Sequence, residues 1–438
     1  MGVGGYNMFK KQGIQKFVLV FFSLILLLGV TACSSNGASN EEQGGSGGGK
    51  TKLTIWLWPN MGIENQIKQY AEENNIEVEI QTAEFADVHS NLTTALAAGS
   101  GAPDISAIEV KGIDKMKATP EHFHNLLDLG ADEVKDDYLD WKWQQALTPD
   151  GSSLLGLPTD IGPQAMAYRI DLFEEAGLPT DREEVANLVK TWDDFIKVGE
   201  QIKAKTGKAF IDSPNGAYTV MEGQGDEKYY DKDGNVIVQD NPDIKKAYDF
   251  ASLIIDKELA TKFDQFSTEW GTGMNNGDYA TILAPAWMMT SMKATAPEAS
   301  GKWDMTLLPE GSGNWGGSFL TIPKQSKNAE EAYKLIKWLL SPEQQLVTFK
   351  EAGNFPSTPG IYDSEEIQTF TSEYFNNAPV GKIYAEAAQQ VKPIVEGPES
   401  IQIETIIGDA ITRVKDGQEK PDASWDKAME QLERELAR

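Results

Sequence analysis

The stretch KLTIWLWPNMGIENQIKQYAEENNIEVEIQTAEFADVHSNLTTALAAGSGAPDISAIEV, residues 52–110, decides the fold class of this chain. Its residues alternate between patterns typical of strands and patterns typical of helices. The predicted elements are a strand at 52–58, a helix at 62–74, a strand at 76–81, a helix at 85–98 that ends at Gly99, and a strand at 105–110. This β-α-β-α-β order predicts an α/β fold with a mainly parallel sheet and right-handed crossovers.

The composition of the whole chain predicts a large, acidic, globular protein. The 438 residues include 39 Lys and Arg against 67 Asp and Glu, which gives a formal net charge of -28, and 40% are hydrophobic. A chain of this length exceeds what one hydrophobic core usually supports, so two lobes are expected. The excess of acidic residues would repel a phosphate backbone and excludes a sequence-independent nucleic-acid binder.

The residue types that bind metals and cofactors are scarce. The one cysteine, Cys33, cannot form an internal disulfide or a cysteine-rich cluster, and the pair His122 and His124 lacks a convincing third ligand. The segment 231–235 resembles a calcium loop but has its glycine at the fourth position, so a hairpin turn is expected there. The sequence also lacks a catalytic triad, a P-loop and a dinucleotide fingerprint after a strand. We therefore expect no metal, no cofactor and no catalytic residue.

The first 50 residues have the features of an export signal and a tether. Three lysines precede an uncharged run at 17–30, which is too short to span a membrane as a helix, so residues 1–32 are predicted to be a secretory signal peptide. The small residues before Cys33 resemble the lipobox of bacterial lipoproteins, in which that cysteine is lipidated. Residues 33–50 are rich in Gly, Ser and Asn and are predicted to be a flexible tether. The protein is thus expected on the outer face of the cell membrane, held there by lipid alone.

Several later segments carry boundary signals. Thr191 is placed to cap a helix that ends at Gly207, and Ser341 is placed to cap another. Between them, an apolar helical stripe is assigned to the core; it comprises Ala332, Leu335, Ile336, Leu339 and Leu340.

A set of motifs, in this order and spacing, resembles the carbohydrate-binding lipoproteins of bacterial ABC importers, the relatives of maltose-binding protein. After the lipobox and the tether, the matching segments are LTIWLW (53–58), AAGSGAPDI (97–105), AMAYRIDLF (165–173), AGLP (176–179), NGDYA (276–280), PAW (285–287) and GGSFLTIPK (316–324). The likeness runs from about residue 51 to the C-terminus.

The resemblance implies a periplasmic-binding-protein-like fold of two α/β lobes, with hinge crossovers and a central ligand cleft. The first crossing is expected near 158–163 and the return near 311–317, where Gly and Pro occur. The predicted N-terminal lobe comprises residues 51–161 and about 315–370. The predicted C-terminal lobe comprises about 162–314 and 371–438.

Aromatic side chains are the first candidates for the cleft, because sugars offer apolar C–H faces that pack on flat rings. Trp58 lies at the C-terminal end of the first strand, where ligands bind in open α/β sheets. Trp270, Trp287 and Trp315 lie in segments with neighbouring Gly or Pro, where a side chain is more easily exposed. With the family likeness, all four are predicted to be sugar platforms.

Polar candidates are chosen by position. Glu109 follows the third strand and Asp160 lies in the first crossing, and a carboxylate there could bridge two sugar hydroxyls. Three further candidates lie at or just past the ends of the first two strands: Asn60, Glu84 and His89. Tyr218 is a candidate wall residue of the second lobe.

The sequence therefore predicts a monomeric, extracytoplasmic receptor that captures an oligosaccharide of two or more units and delivers it to the permease subunits of an ABC importer, as in Gram-positive bacteria. No bond is broken, so an enzyme is not expected.

Two alternatives stay open. One is a secreted glycan-active enzyme, whose paired carboxylates cannot be recognised without a structure. The other is a receptor for a cationic molecule such as a polyamine, which the acid excess and the aromatic rings would also suit.

Overall fold

A computed structural model describes residues 50–436, in which strands and helices alternate at first and several helices in succession follow later, including six α-helices after the last strand. The predicted signal peptide (1–32), the lipidation site Cys33 and the tether up to residue 49 lie outside the described residues. The strands are β1 (Lys52–Leu57), β2 (Glu77–Thr82), β3 (Ile105–Glu109), β4 (Gly156–Pro158), β5 (Gln164–Arg169), β6 (Ala209–Ile211), β7 (Tyr279–Pro285), β8 (Trp303–Thr306) and β9 (Ser318–Thr321).

Helices connect and cover these strands. The α-helices are α1 (Glu64–Glu73), α2 (Phe85–Ala98), α3 (Val110–Lys117), α4 (Asp140–Ala146), α5 (Ile170–Glu175), α6 (Arg182–Leu188), α7 (Trp192–Thr206), α8 (Pro214–Gln224), α9 (Pro242–Asp256), α10 (Thr268–Asn276), α11 (Met288–Thr295), α12 (Ala329–Leu339), α13 (Pro342–Ala352), α14 (Glu365–Gln368), α15 (Val380–Gln390), α16 (Ser400–Lys415) and α17 (Pro421–Leu436). Short 3-10 helices occur at Pro120–His122, Leu126–Leu129, Ala131–Asp137, Pro297–Ala299, Pro359–Ile361 and Glu373–Phe375. Within residues 50–436, no helix combines the length and the apolar character that crossing a membrane requires.

The elements predicted from residues 52–110 are confirmed. Helix α2 has the predicted bounds, and Gly99 ends it with a left-handed backbone (φ +68°), which glycine adopts without strain. The predicted caps are also present, because the side chains of Thr191 and Ser341 each accept a hydrogen bond from a backbone N–H in the first turn of α7 and α13. The residues 231–235 form a turn between Tyr230 and Val236, which pair as antiparallel neighbours.

Each of the two sheets is mixed, so the prediction of a mainly parallel sheet is correct only for its first part. In the first sheet the order is β2-β1-β3-β9-β4, where β1 is parallel to β2 and β3, and β9 is antiparallel to β3 and β4. In the second sheet the order is β6-β7-β5-β8, and only the β6–β7 pair is parallel. Strand β9 runs against its neighbours because the chain returns to the first sheet from the second one.

The apolar cores divide the described chain into two lobes. The first lobe packs around the first sheet, and the apolar stripe of α12 lies in its core as predicted. The second lobe packs around the second sheet, with one cluster including α7, α8, α9, α16 and α17 and another including α10, α11 and α15. Phe349, Phe355 and Ile367 belong to this last cluster. Their packing favours a third crossing before Phe355, earlier than the predicted boundary at 370, and the boundaries of the lobes stay predictions.

Three chain segments meet where the lobes join. The first passes from β4 to β5 and includes the predicted crossing at 158–163. The second returns from β8 to β9 and includes the predicted return at 311–317. The third contains Phe355, whose carbonyl accepts a hydrogen bond of 2.8 Å from the Ile161 N–H. Gly162 binds the return segment twice, through its carbonyl to the Trp315 N–H and through its N–H to the Asn314 side chain, both at 2.8 Å.

The contact at Gly162 makes a testable prediction about stability. A Cβ atom at this position would lie 1.8 Å from the carbonyl oxygen of Trp315, which is backbone and cannot move alone. We expect Gly162→Ala to lower the free energy of unfolding by about 2 kcal/mol or more, measured by urea denaturation. The control is Gly408→Ala in α16, where a Cβ meets nothing within 4 Å. This control should raise the free energy of unfolding by roughly 0.5–1 kcal/mol. Equal effects of the two changes would contradict the hinge assignment.

Candidate functional site

A cavity of about 580 Å³ lies between the two lobes, beside the hinge segments. The first lobe contributes the residues that follow β1, the start of α2 and the end of β3, because the carboxyl ends of its parallel strands meet at this edge of the sheet. The second lobe contributes the residues just before α10 and α11. Of the predicted site residues, the structure brings seven together in the cavity wall: Trp58, Asn60, Glu84, Glu109, Asp160, Trp287 and Trp315.

Aromatic rings line the cavity from both lobes. In the first lobe, Trp58 meets Phe85 edge to face, with ring centroids 5.2 Å apart. In the second lobe, Phe266 lies over Trp287 at 6.0 Å, with an angle of 27° between the ring planes. Trp287 in turn meets Trp315 of the hinge edge to face at 5.4 Å, and its indole N–H donates to the Trp315 carbonyl. A flat ligand with apolar faces could therefore be held between two aromatic surfaces.

His89 supports this wall from behind and does not line the cavity itself. Its ring stacks on Trp58 at 5.5 Å, its Nε2 atom accepts a hydrogen bond from the Glu109 N–H, and its Nδ1 atom lies 2.9 Å from the Phe85 carbonyl. The accepting Nε2 implies that the proton is on Nδ1. Burial lowers the pKa of His89, which agrees with a neutral ring. His89 thus links three residues of the cavity wall.

Glu109 places a buried carboxyl group in the cavity wall. It ends β3, and its Oε2 atom accepts a hydrogen bond of 2.8 Å from the Lys111 N–H at the start of α3. Burial raises the pKa of this carboxyl to about 7, although the nearby Lys111 opposes the shift. The group can therefore accept hydrogen bonds as a carboxylate or donate one as an acid near neutral pH.

Asp160 lies on the first hinge segment with a buried lysine behind it. Its Oδ1 atom accepts hydrogen bonds from the Thr159 hydroxyl and the Ser318 N–H. Burial raises the pKa of Asp160, and Lys142 opposes this shift. Burial lowers the pKa of Lys142 to about 8, and its ammonium group lies 4.2 Å from the centroid of the Phe319 ring without a hydrogen-bond partner among the described residues. Lys142 therefore compensates the charge of Asp160 from inside the protein.

Two predicted residues lie away from the cavity. The prediction that Trp270 is an exposed ring is wrong, because its side chain is fully buried in the second lobe and its indole N–H donates to Asp212 at 2.8 Å. Tyr218 is also buried, with its hydroxyl 3.1 Å from that of Tyr229, and it does not line the cavity. Both residues lie on helices whose inward faces cannot be recognised from a neighbouring glycine alone.

Sequence reasoning missed several residues of the wall, including Phe85, Lys111, Phe266, Ser291 and Asn354. Phe85 follows the predicted Glu84 directly and could have been found by the same argument about strand ends. Phe266 is 47% exposed and has a left-handed backbone (φ +68°), which no local pattern signals. Asn354 belongs to the third hinge segment and donates to the Met61 carbonyl at 2.7 Å. Its place in the wall depends on contacts far apart in sequence.

Metal-binding geometry is absent from the part of the chain that the structure describes, where no group of three or more His, Cys, Asp or Glu side chains could hold an ion. In the calcium-like turn, Asp231 uses both carboxylate oxygens within the turn, with Oδ1 accepting from the backbone of Asp233 and Asn235 and Oδ2 from the Asn235 side chain. The cavity itself is lined by rings, carboxyls and amides, which can hold a polar ligand with apolar faces.

Comparisons with known proteins agree on one family. Residues 65–372 match the family described as bacterial extracellular solute-binding protein. The chain is 24% identical to the arabinooligosaccharide-binding protein of Bacillus subtilis, over 96% of this chain and 99% of that protein, and 27% identical to the lactose-binding protein of Rhizobium radiobacter, over 81% and 86%. A crystal structure of an extracellular solute-binding protein family 1 is similar with a TM-score of 0.80 and 37% identity, covering 88% of this chain and 99% of that one.

A structure with a bound sugar shares the fold at lower identity. It is the ABC-transporter-associated binding protein of Bifidobacterium animalis subsp. lactis in complex with β-1,6-galactobiose, with a TM-score of 0.73 and 23% identity over 89% of this chain and 98% of that one.

The buried carboxyl of Glu109 makes stability depend on pH. Its pKa is about 7 in the fold against an ordinary 4.5, so the folded state holds the proton more tightly, and ionisation destabilises the fold as the pH rises through this window. We expect Glu109→Gln to raise the free energy of unfolding at pH 8 by on the order of 2 kcal/mol relative to the unchanged protein, and to change it much less at pH 5. Urea denaturation at both pH values measures this. An equal change at both would contradict the assignment.

Proposed function

Because this chain belongs to the bacterial extracellular solute-binding proteins, we propose that it captures an oligosaccharide outside the cytoplasm and delivers it to the permease subunits of an ABC importer. The observation that carries the proposal is the pair of aromatic surfaces that face one cavity from opposite lobes, with the carboxyls of Glu109 and Asp160 in its wall. Similarity to an arabinooligosaccharide-binding and a lactose-binding protein supports a short oligosaccharide as ligand.

The two lobes divide the recognition of the sugar. Trp58 in the first lobe and Trp287 in the second present rings to the apolar C–H faces of sugar units. Glu109 and Asp160 accept hydrogen bonds from hydroxyls, and Asn60 and Asn354 can both donate and accept. Hydrogen bonds to a charged acceptor contribute more than neutral ones, so the carboxyls are expected to fix the orientation of the sugar.

The size of the cavity supports a ligand of about two sugar units within the cleft. A water-sized group occupies about 30 Å³ in the liquid, so about 580 Å³ accommodates on the order of 20 non-hydrogen groups. This is close to the size of a disaccharide. A longer oligosaccharide would extend out of the mouth of the cleft past Glu84 and Phe85, which are exposed at its edge.

The proposal predicts that one sugar series stabilises the fold. A ligand that binds only the folded state raises the unfolding midpoint, and at 100 times its Kd it adds about 2.7 kcal/mol of stability. We expect a higher midpoint with arabinotriose, lactose, β-1,6-galactobiose or maltotriose, and the sugar recovered unchanged, as measured by thermal unfolding and chromatography. A shift with spermidine alone would indicate a receptor for cations, and a shortened sugar would indicate an enzyme.

Paired tryptophan variants separate the cavity from general stability in this experiment. Trp58→Ala removes a ring of the wall, and we expect it to weaken binding of the stabilising sugar by about tenfold or more. Trp56→Ala is the matched control, because Trp56 lies on β1 two residues before Trp58, with its indole N–H donating to Gln81, and does not line the cavity. Calorimetric titration measures both affinities, and equal losses would contradict the role of Trp58.

The position of the protein in the cell is the other part of the proposal. We infer from the sequence that residues 1–32 are removed and that Cys33 carries lipid, so that a monomer is held at the outer face of the membrane. Two acyl chains anchor a protein stably in a membrane, whereas a protein without acyl chains would be released. We expect Cys33→Ser to move the protein from the membrane fraction to the medium, measured by cell fractionation, with Ser34→Ala as control. Retention of the Cys33→Ser protein at the membrane would overturn the assignment.

A further inference from the structure

An ion pair joins the two lobes beside the cavity. The ammonium group of Lys111 contacts the Oε2 atom of Glu404. Lys111 is the second residue of α3, which packs on β3 and β9 of the first sheet, whereas Glu404 is in α16, which packs on α8, α9 and α17 of the second lobe. Among the ion pairs within residues 50–436, this is the one that connects the two lobes, since the others join residues of the same lobe.

Glu404 is held in place by a buried network of the second lobe. The ammonium group of Lys228 lies 2.8 Å from Glu222, 3.5 Å from Glu396 and 3.9 Å from Glu404. The Tyr229 hydroxyl donates to the other oxygen of Glu222 at 2.6 Å, and the side chains of Lys228 and Glu222 are only 6% and 2% exposed. The ammonium group of Lys228 therefore lies beside Glu404 and favours the charged form of the carboxylate that contacts Lys111.

Both members of the pair keep their charge near neutral pH. Burial lowers the pKa of Lys111, but the carboxylates of Glu404, Glu109 and Glu396 together raise it more, and the net shift is upward. Burial raises the pKa of Glu404, but Lys111 and Lys228 lower it more, and the net shift is downward. The side chains of Lys111 and Glu404 are 14% and 29% exposed, so water and salt screen their attraction less than that of a surface pair.

The same chain segment also belongs to the cavity. The Lys111 N–H donates to the Oε2 atom of Glu109 at 2.8 Å, and both Glu109 and Lys111 line the cavity. The backbone of Lys111 thus fixes a carboxyl that faces the ligand space, while its side chain reaches the opposite lobe. A change in the position of this turn alters both contacts together.

We propose that Lys111 and Glu404 form an ionic latch that stabilises the closed arrangement of the lobes before any ligand is bound. The latch raises ligand affinity because the closed arrangement is the one in which both aromatic surfaces face a single cavity, and apparent affinity is proportional to the population that can bind. The inference goes beyond the proposed function, because it makes no assumption about which molecule is captured.

The test measures the opening of the cleft without ligand. Spin labels are attached to the full chain at Asn91→Cys in α2 and Thr268→Cys in α10, two exposed positions on opposite lobes near the cavity, with Cys33→Ser to remove the native thiol. Pulsed electron resonance then gives the distances between the labels. We expect the protein with both residues intact to show a population with a short distance between the labels. In Lys111→Met and in Glu404→Gln, this population should decrease about fivefold relative to the long-distance one. Lys111→Arg keeps the positive charge and should retain the short-distance population.

Two comparisons make the result specific to this pair. The double variant Lys111→Met with Glu404→Gln should open no further than the more open single variant, because the second change removes nothing once the pair is broken. Lys337→Met breaks a 2.7 Å ion pair with Glu133 inside the first lobe and should leave the distances unchanged. Three results would overturn the proposal. They are a protein with Lys111 and Glu404 intact that shows no short-distance population, distances that are unchanged in both single variants, and opening that is additive in the double variant.

Discussion

The arrangement of the two lobes depends on the close approach of two backbone segments at the hinge. The Trp315 N–H donates a hydrogen bond to the Gly162 carbonyl, and the two segments are so close that a Cβ atom at position 162 has no room. This contact sets the line along which the two lobes meet, and the cavity lies directly beside it. Asp160 and Trp315 are on the hinge segments themselves, so they would move little when the lobes rotate, whereas Trp58 and Phe266 are on opposite lobes and would move most.

The cavity combines this geometry with ionisable groups that are costly to bury. Two buried carboxyls of the wall have a partner that opposes the cost of their burial, Lys142 for Asp160 and the N–H of Lys111 for Glu109. Removing Lys142 would leave the Asp160 carboxylate without its buried countercharge, which costs more than the pair contributes. The buried carboxyls of the wall can thus accept hydrogen bonds from the hydroxyls of a polar ligand, as the proposed oligosaccharide requires.

The sequence predicted those features that depend on local patterns. The run from β1 to β3, the end of α2 at Gly99 and the caps of α7 and α13 all follow from residue periodicity and capping chemistry. Trp58 and Glu109 lie in the cavity wall because the ends of parallel strands share one edge of the sheet, and their contact with a ligand stays a prediction. The antiparallel β9, the burial of Trp270 and the exposure of Phe266 depend on neighbours far along the chain. No local pattern contains that information, and the position of the third hinge segment, before Phe355 instead of near residue 370, depends on such contacts as well.

The hydrogen bond from the Trp287 indole to the Trp315 carbonyl has a consequence for spectroscopy. Indole emission depends on the polarity around the ring and on its hydrogen bonds, and these two of the chain's 11 tryptophans lie together at the junction of the cavity and the hinge. A ligand that displaces water from Trp287 and a rotation that alters its bond to Trp315 would each change that emission. The intrinsic fluorescence of Trp287 therefore responds both to filling of the cleft and to bending of the hinge.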